Sequence, residues 1–381
     1  MTVEPEMLPT AAGKLALRRP GSQGRSLRAW DAADELLIES AQAYAAPEHR
    51  VLIVDDNFGA LTLALEPLKP DVLADSATLV AALRSNATDN GRAAPVPGNW
   101  ATVGAGRYDL IVLRIPRQLG YLEYLLRWAN SALRPGGQVL AGGMIKHLPD
   151  RCAATFERLV VTRQVLPARK KARVVVCAAG EATLAGWQGE WQGYKLAALP
   201  DPITALPAVF SRDRLDRGTA LFLPQVQRLV AHLPPEARVL DLACGNGVVG
   251  VSVLAQRPDV AVTFTDVSSQ AVLSARHNVQ TFNPALAARF HHSDGVPADA
   301  GLFDLILLNP PFHEGGTVGD HIALRLFREA SHHLGPAGRL LVVGNRHLGY
   351  HKTLKRYFPR VTQCAADPKF VVFEAQPAGR V

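Results

Sequence analysis

Val239-Leu240-Asp241-Leu242-Ala243-Cys244-Gly245-Asn246-Gly247-Val248-Val249-Gly250 is the stretch whose reading decides the fold. Its first four residues form a short apolar run of the kind that becomes a buried parallel strand. Gly245 and Gly247 allow a tight turn and let a ligand approach the backbone closely. A helix follows. Strand, glycine turn and helix in that order open a doubly wound α/β sheet, in which ligands bind beyond the carboxyl ends of the strands. Asp241 stands at such an end, placed to meet a cationic or hydroxyl-bearing cofactor.

Downstream, the pattern repeats. A strand over Val260 to Thr265 ends in Asp266 and Val267, and that carboxylate suits two ribose hydroxyls. A strand over Ala288 to His292 ends in Asp294 and Gly295, with Asp294 placed to accept from an adenine amino group. Phe303 to Leu308 is another buried strand, and it runs into Asn309-Pro310-Pro311-Phe312. Two prolines stop the ladder and turn the chain outward. Asn309 Oδ1 and the Pro310 carbonyl can both accept from a planar –NH2, and Phe312 can stack on its ring. The plain alternative is a strand-ending turn with a buried Phe.

Gly245, Gly247 and Gly250 also satisfy G-x-G-x-x-G, with Asp266 a short helix beyond, close to a dinucleotide-binding pattern. Glycine spacing alone does not separate NAD from S-adenosyl-L-methionine. Asp241 before the loop, Asp294 on the third strand and the clamp after the fourth favour the methyl donor. The candidate cofactor contacts are Asp241, Cys244, Gly245, Asn246, Gly247, Asp266, Val267, Asp294, Gly295 and Asn309; the candidate catalytic residues are Asn309, Pro310 and Phe312.

The first half carries the same alternation. A helix over Asp31 to Ala45 precedes a strand at Val51-Leu52-Ile53-Val54; a strand over Tyr108 to Leu113, a helix over Tyr121 to Leu133 and a strand at Gln138-Val139-Leu140 follow. Val51 to Val54 aligns with Val239 to Leu242, Tyr108 to Leu113 with Phe303 to Leu308, and Arg134 to Leu140 with Gly335 to Leu341. In this copy Ile53 replaces Asp241, Asn57 replaces Gly245, and Arg114-Ile115-Pro116-Arg117 replaces the clamp, while Asp75 matches Asp266. The expected fold is therefore two tandem α/β copies, the first without a cofactor site. Residues 1 to about 28 read as an extended lead-in with exposed arginines. Residues 1–185 form the first domain, 186–209 a linker partly packed by Trp187 and Trp191, and 210–381 the second domain, with a helix over Pro224 to Leu233.

Two runs, Leu159 to Val165 and Arg173 to Ala178, make an antiparallel hairpin at a sheet edge. Its tip holds Arg169, Lys170, Lys171 and Arg173, either a phosphate-contacting loop or a sheet edge blunted by charge. The chain's net charge of +7 makes a polyanionic partner plausible, but 23 Lys+Arg against 19 Asp+Glu in residues 1–200, and 18 against 15 beyond, leave neither half a basic arm. Four scattered cysteines have no metal spacing and point to a reducing cytoplasm. No apolar run is long enough to span a membrane, so no membrane partner is expected. Histidine pairs 291–292 and 332–333 read as surface or capping residues rather than metal ligands.

The loop at 241–250 with Asn309 to Phe312 resembles the class I, seven-strand methyltransferases that act on exocyclic or planar nitrogens. Phe210 to Asp216 with Gly218-Thr219 is similar to the entry segment of the ribosomal RNA guanine-N2 methyltransferases. The tail Asn345-Arg346-His347-Leu348-Gly349-Tyr350, with Lys369-Phe370-Val371-Val372, resembles the large-subunit (23S) type rather than the small-subunit one. The resemblance implies a monomeric enzyme on 23S rRNA and a spent first copy, here read as an RNA-docking module; Asn345, Arg346 and His347 follow a buried strand and so would rim the same pocket, with Arg346 and His347 as RNA contacts. The family loop often begins D-x-G-C-G; Ala243 stands at its first glycine, which is tolerable if φ there stays below zero and leaves the cofactor reading intact. Alternatives are a 16S rRNA guanine, adenine N6 or a protein glutamine as acceptor, or a non-catalytic RNA-binding protein.

Overall fold

A computed structural model describes residues 6–11, 13–20, 28–104, 107–311 and 320–377. The chain divides into two units, Met1–Glu190 and Trp191–Val381.

The first unit opens with a hairpin, β1 (Glu6–Thr10) and β2 (Gly13–Leu17), and α1 (Ala32–Tyr44). Next come β3 (Val51–Val54), α2 (Ala60–Ala64), β4 (Asp71–Leu73), α3 (Thr78–Asp89), β5 (Tyr108–Arg114), α4 (Leu119–Ala132) and β6 (Leu133–Met144). It closes with α5 (Cys152–Leu159), β7 (Val161–Val165) and β8 (Ala172–Ala178). The sheet order is β4-β3-β5-β6-β8-β7, with β8 alone running against the others.

The second unit holds β9 (Gln192–Tyr194), β10 (Ile203–Ala205), α6 (Arg217–Val230), β11 (Arg238–Leu242), α7 (Val248–Gln256), β12 (Ala261–Asp266) and α8 (Ser269–Phe282). After these come β13 (Ala288–His292), β14 (Phe303–Leu308), α9 (Asp320–His332), β15 (Leu334–Asn345), α10 (Tyr350–Leu354), β16 (Arg360–Ala366) and β17 (Phe370–Gln376). Its sheet order is β13-β12-β11-β14-β15-β17-β16. The first unit has the same order less one edge strand; there a single bridge, Leu73 to Gly98, stands where β13 would pair.

The likeness reaches single residues. Both fourth strands shift register against the fifth, between Tyr108 and Leu110 and between Phe303 and Leu305. A Cβ on Gly137 would lie 2.8 Å from the Tyr108 carbonyl, and one on Gly338 the same distance from that of Phe303. Only glycine passes there in either copy. Each copy is thus a class I methyltransferase fold built on the same backbone.

Three expectations need correction. Residues 6–17 are no loose lead-in: Leu8, Leu15 and Leu17 are buried, and Arg18 is paired with Asp89 at 2.6 Å. The stretch read as a linker is mostly structure of the second unit, since β9 and β10 pair with each other and Ile203 is buried. The helix expected from Pro224 begins at Arg217, capped by Asp216, with Pro224 inside it. A proline usually marks a first turn, which is why it misleads here.

The first and second corrections have one cause. On α3, Asn90 exchanges hydrogen bonds with the backbone of Ala16 and Asn86 with that of Arg18, and Asn86 Nδ2 also donates to the Phe58 carbonyl at 2.8 Å. On α8, Asn278 exchanges bonds with the backbone of Thr204 and donates to the Asn246 carbonyl at 2.8 Å. Ser274 and Gln270 continue that row to the amides of Leu206 and Ala208. Each unit therefore starts with a leading hairpin latched by asparagine to the helix after its second strand, and the same asparagine grips the turn after the first strand.

Candidate active site

The turn after β11 is shaped by three left-handed residues, Ala243 (φ 59°), Gly245 (φ 55°) and Gly247 (φ 78°). Ala243 therefore departs from the condition of negative φ. Holding an alanine there costs roughly 1–2 kcal/mol. Asp55, its counterpart in the first unit, shares the conformation at φ 58°, so the turn's path demands it whatever residue is present.

Asp241 is buried, and its Oδ2 accepts from Gly250 N–H at 2.8 Å, stapling the helix to the strand. Burial pushes this acid up to about 8, with Asp266 adding repulsion. Burial also pushes the Cys244 thiol well above its usual range. Asn246 differs from expectation: its side chain is buried, donates to Tyr194 Oη and Ser211 O, and accepts from Val248 N–H. Only its backbone is left for a cofactor. Gly247 and Gly250 are packing glycines, because a Cβ would strike Ala275 at 2.8 Å and Phe264 at 2.2 Å. Gly245 alone has open space where its Cβ would be. A ligand can approach the backbone there.

Asp266 accepts from Gly245 N–H and Ser268 N–H, both at 2.9 Å, which aims the carboxylate and ties it to the turn. Val267 follows it, half-buried, its carbonyl bonded to His292 Nε2. Asp294 is not the unencumbered acceptor expected, because Arg325 grips its carboxylate and its carbonyl. Gly295 turns the chain at φ 101°, its carbonyl accepting from Thr265 Oγ1.

Across the sheet edge, Asn309 Nδ2 donates to Thr219 Oγ1 at 3.0 Å. Thr219 leans on the α6 cap: its N–H reaches Asp216 Oδ2 at 2.9 Å and its hydroxyl at 3.4 Å. A Thr219 hydroxyl turned toward that carboxylate offers Asn309 a lone pair, which matches the amide presenting its nitrogen. Asn309 Oδ1 is left shut off from water with no hydrogen-bond partner among the described residues. Asp216 and Thr219 join the candidate site, and the sequence pattern alone does not reveal them, since D-x-x-T before a helix reads as an ordinary cap. Pro310 is buried beside Asn309, while Phe312 and residues 313–319 lie outside the described residues.

Arg346 and His347 are exposed just past β15, with Arg346 Nη1 donating to Asp367 O. At the hairpin tip of the first unit two of the four expected phosphate-binding cations are already committed. Arg169 forms a two-pronged pair with Glu39 at 2.5 and 2.6 Å, and Lys170 reaches Glu35 at 2.8 Å. Lys171 and Arg173 carry no ion pair among the described residues.

The first unit shows the same places filled. Arg114, standing where Asn309 does, meets Asp31 Oδ1 and Oδ2 at 3.0 Å and Asp34 at 3.2 Å. Asp31 caps α1 as Asp216 caps α6, and Asp34 matches Thr219. Burial pushes Asp34 up to about 7 against the pull of Arg114. Nearby, Tyr121 Oη accepts from Trp100 Nε1 at 2.9 Å, and its ring lies among Trp100 and Tyr124. The acid lost at Ile53 returns as Asp56, which accepts from Thr62 N–H, the counterpart of Gly250 N–H. The scaffold is kept and the acceptor is lost.

Among the described residues no cluster of His, Cys, Asp or Glu is arranged to hold a metal ion, and no helix is long and apolar enough to cross a membrane.

Residues 202–374 match the methyltransferase small domain, and residues 6–181 the RLMG N-terminal domain. Ribosomal RNA large subunit methyltransferase G of Alcanivorax borkumensis is 38% identical over 377 residues, covering 96% of this chain and 95% of that protein. The protein of that name from Pseudomonas paraeruginosa is 38% identical over 366 residues, 94% and 96% of the two. Among solved structures, the T. thermophilus 16S rRNA N2 G1207 methyltransferase, in complex with AdoMet and guanosine, superposes with a TM-score of 0.75 at 26% identity, over 98% of each chain. Whole-length likeness of this degree to curated relatives, on a site of this geometry, places the chain in the ribosomal RNA large subunit methyltransferase G family.

Proposed function

We propose that the chain transfers a methyl group from S-adenosyl-L-methionine to the exocyclic N2 of a guanine in 23S rRNA, with the second unit catalytic and the first docking RNA. The observation that carries this reading is the Asn309 acceptor: aimed by Thr219, shielded from water and lacking a donor, at the carboxyl edge of the sheet beside the glycine turn. An acceptor in that state is matched by an amino group.

The residues of the turn fit the methyl donor. Gly245 leaves room for a ligand at its backbone, and Asp266 presents an oriented carboxylate for ribose hydroxyls. When bound, the cofactor supplies an electrophilic methyl on a sulfonium. The amine at guanine C2 is a poor nucleophile, because its lone pair is delocalised into the ring. Asn309 Oδ1 and the Pro310 carbonyl accept its two hydrogens, turn the lone pair toward the methyl and stabilise the growing positive charge. The N–C bond forms as the C–S bond breaks, and the nitrogen then gives up one proton to solvent. No tuned general base is needed beforehand, because that proton becomes acidic as the bond forms. Arg346 and His347, on the rim, and Lys171 and Arg173, on the first unit, are the groups offered to phosphates; with Arg169 and Lys170 they make up the proposed RNA contacts.

The reading is tested with tritiated S-adenosyl-L-methionine and rRNA from cells lacking the gene. Label is expected in N2-methylguanosine at one site of 23S rRNA. Label in 16S rRNA, in another nucleoside or in protein would overturn it.

A further inference from the structure

Asn309 is not alone in its half-satisfied state. Asn345 Oδ1 is likewise shut off from water without a partner among the described residues. The sheet register places the two together. Leu305 and Leu307 of β14 and Leu341 and Val343 of β15 all belong to the core face under α6. Side chains alternate along a strand, so Asn309 and Asn345, each two residues further on, continue those two rows on the same face. Leu308 pairs with Val342, which sets Asn309 level with Val343, one step short of Asn345 on the neighbouring strand. Asn345 is paired in turn with Phe370 of β17. That ring packs on Gly218, where a Cβ would meet it at 3.0 Å, and the next residue is the Thr219 that holds Asn309. Both acceptors converge on the first turn of α6.

Two water-shielded acceptors side by side describe a ligand edge carrying adjacent donors. Guanine has one: N1–H next to the N2 amino group. Adenine and 2-aminopurine carry an acceptor at N1, and would set it against an acceptor. We infer that Asn345 reads the N1–H of the target guanine while Asn309 holds its amino group, making Asn345 a specificity-determining residue. This rests on the proposed guanine-N2 activity and adds what selects the base.

The test replaces the mapped target guanine of an rRNA fragment by 2-aminopurine, which keeps the amino group and lacks N1–H. Wild-type protein is expected to prefer guanine in kcat/KM by about 10–100-fold, the scale of one buried hydrogen bond. Asn345→Ala is expected to erase that preference by losing turnover on guanine RNA and not on 2-aminopurine RNA, with cofactor affinity unchanged. Asn345→Asp, which keeps an acceptor, is expected to restore it in part. If Asn345→Ala does not fold, Asn345→Val, which also lacks an acceptor, is used in its place. A preference kept by the folded variant overturns the inference and leaves the activity standing. Wild-type protein that methylates no rRNA overturns both.

Discussion

Asn309 works because its two ends are treated differently. Thr219 satisfies the nitrogen, no described residue satisfies the oxygen, and Asp216 lies beside the Thr219 hydroxyl that faces the amide. Asn309→Ala is expected to cut turnover by about 10²–10³ while leaving cofactor affinity nearly intact, the effect of removing one positioned electrostatic partner. Thr219→Val keeps the shape and lets the amide flip; a smaller loss, about tenfold, is expected. Turnover within about threefold of wild type for Asn309→Ala would show that the amide does not hold the amino group. Asp241 carries a second consequence at this scale. Its folded value of about 8 lies far above that of an unfolded aspartate, so raising the pH from about 4 to 8 ionises the unfolded chain first, and stability drains away across that window. The amide introduced by Asp241→Asn would still accept from Gly250 N–H but would not titrate. Urea midpoints should therefore fall less between pH 5 and 8.5 in the variant than in the wild type. Parallel falls would refute this.

At the scale of elements, the strands and helices around the site are legible because their signals are local. Val239 to Leu242 and Phe303 to Leu308 are apolar runs interrupted only by Asp241 and Asp304, and the glycine turn sits between strand and helix. The latch hairpins are not legible. Their bonds go to Asn90, Asn86 and Asn278, 68 to 74 residues away in sequence, and a lone asparagine in a helix carries no pattern. The orientation of Asn309 is hidden for the same reason: its partner Thr219 is 90 residues upstream. Ala243 misleads differently, since nothing in its type announces φ 59°. Because Asn278 holds both Thr204 and the Asn246 carbonyl, Asn278→Ala should loosen the cofactor turn as well as the hairpin. Stability should drop by roughly 1–3 kcal/mol, the cost of unpaired buried groups. Cofactor affinity should weaken while Asn309 stays in place. A variant with lost stability and untouched affinity would separate the latch from the turn.

For the whole molecule, duplication followed by loss is the simplest account of the two halves. Arg114 occupies with its own charge the place where the other copy leaves an acceptor open, and Trp100 and Tyr121 fill the space near Asp55. Calorimetry should find one S-adenosyl-L-methionine per chain; two would contradict this account. Replacing Lys171 and Arg173 by serine should lower RNA affinity and flatten its salt slope by up to about 0.7–0.9 per lost phosphate contact. Replacing Arg169 and Lys170 should do less, since each gives up an exposed pair with α1 worth about 0–1 kcal/mol at most. Equal effects of the two pairs, or none from either, would overturn this division. The latches also date the join. A hairpin precedes the sheet in both units and the boundary between the units falls at Glu190, ahead of the second hairpin, so a duplicated segment would run from the latch hairpin to the inner antiparallel strand, β8 or β17. A gene cut at that seam should yield two open reading frames, each encoding a product that begins with its own fastening.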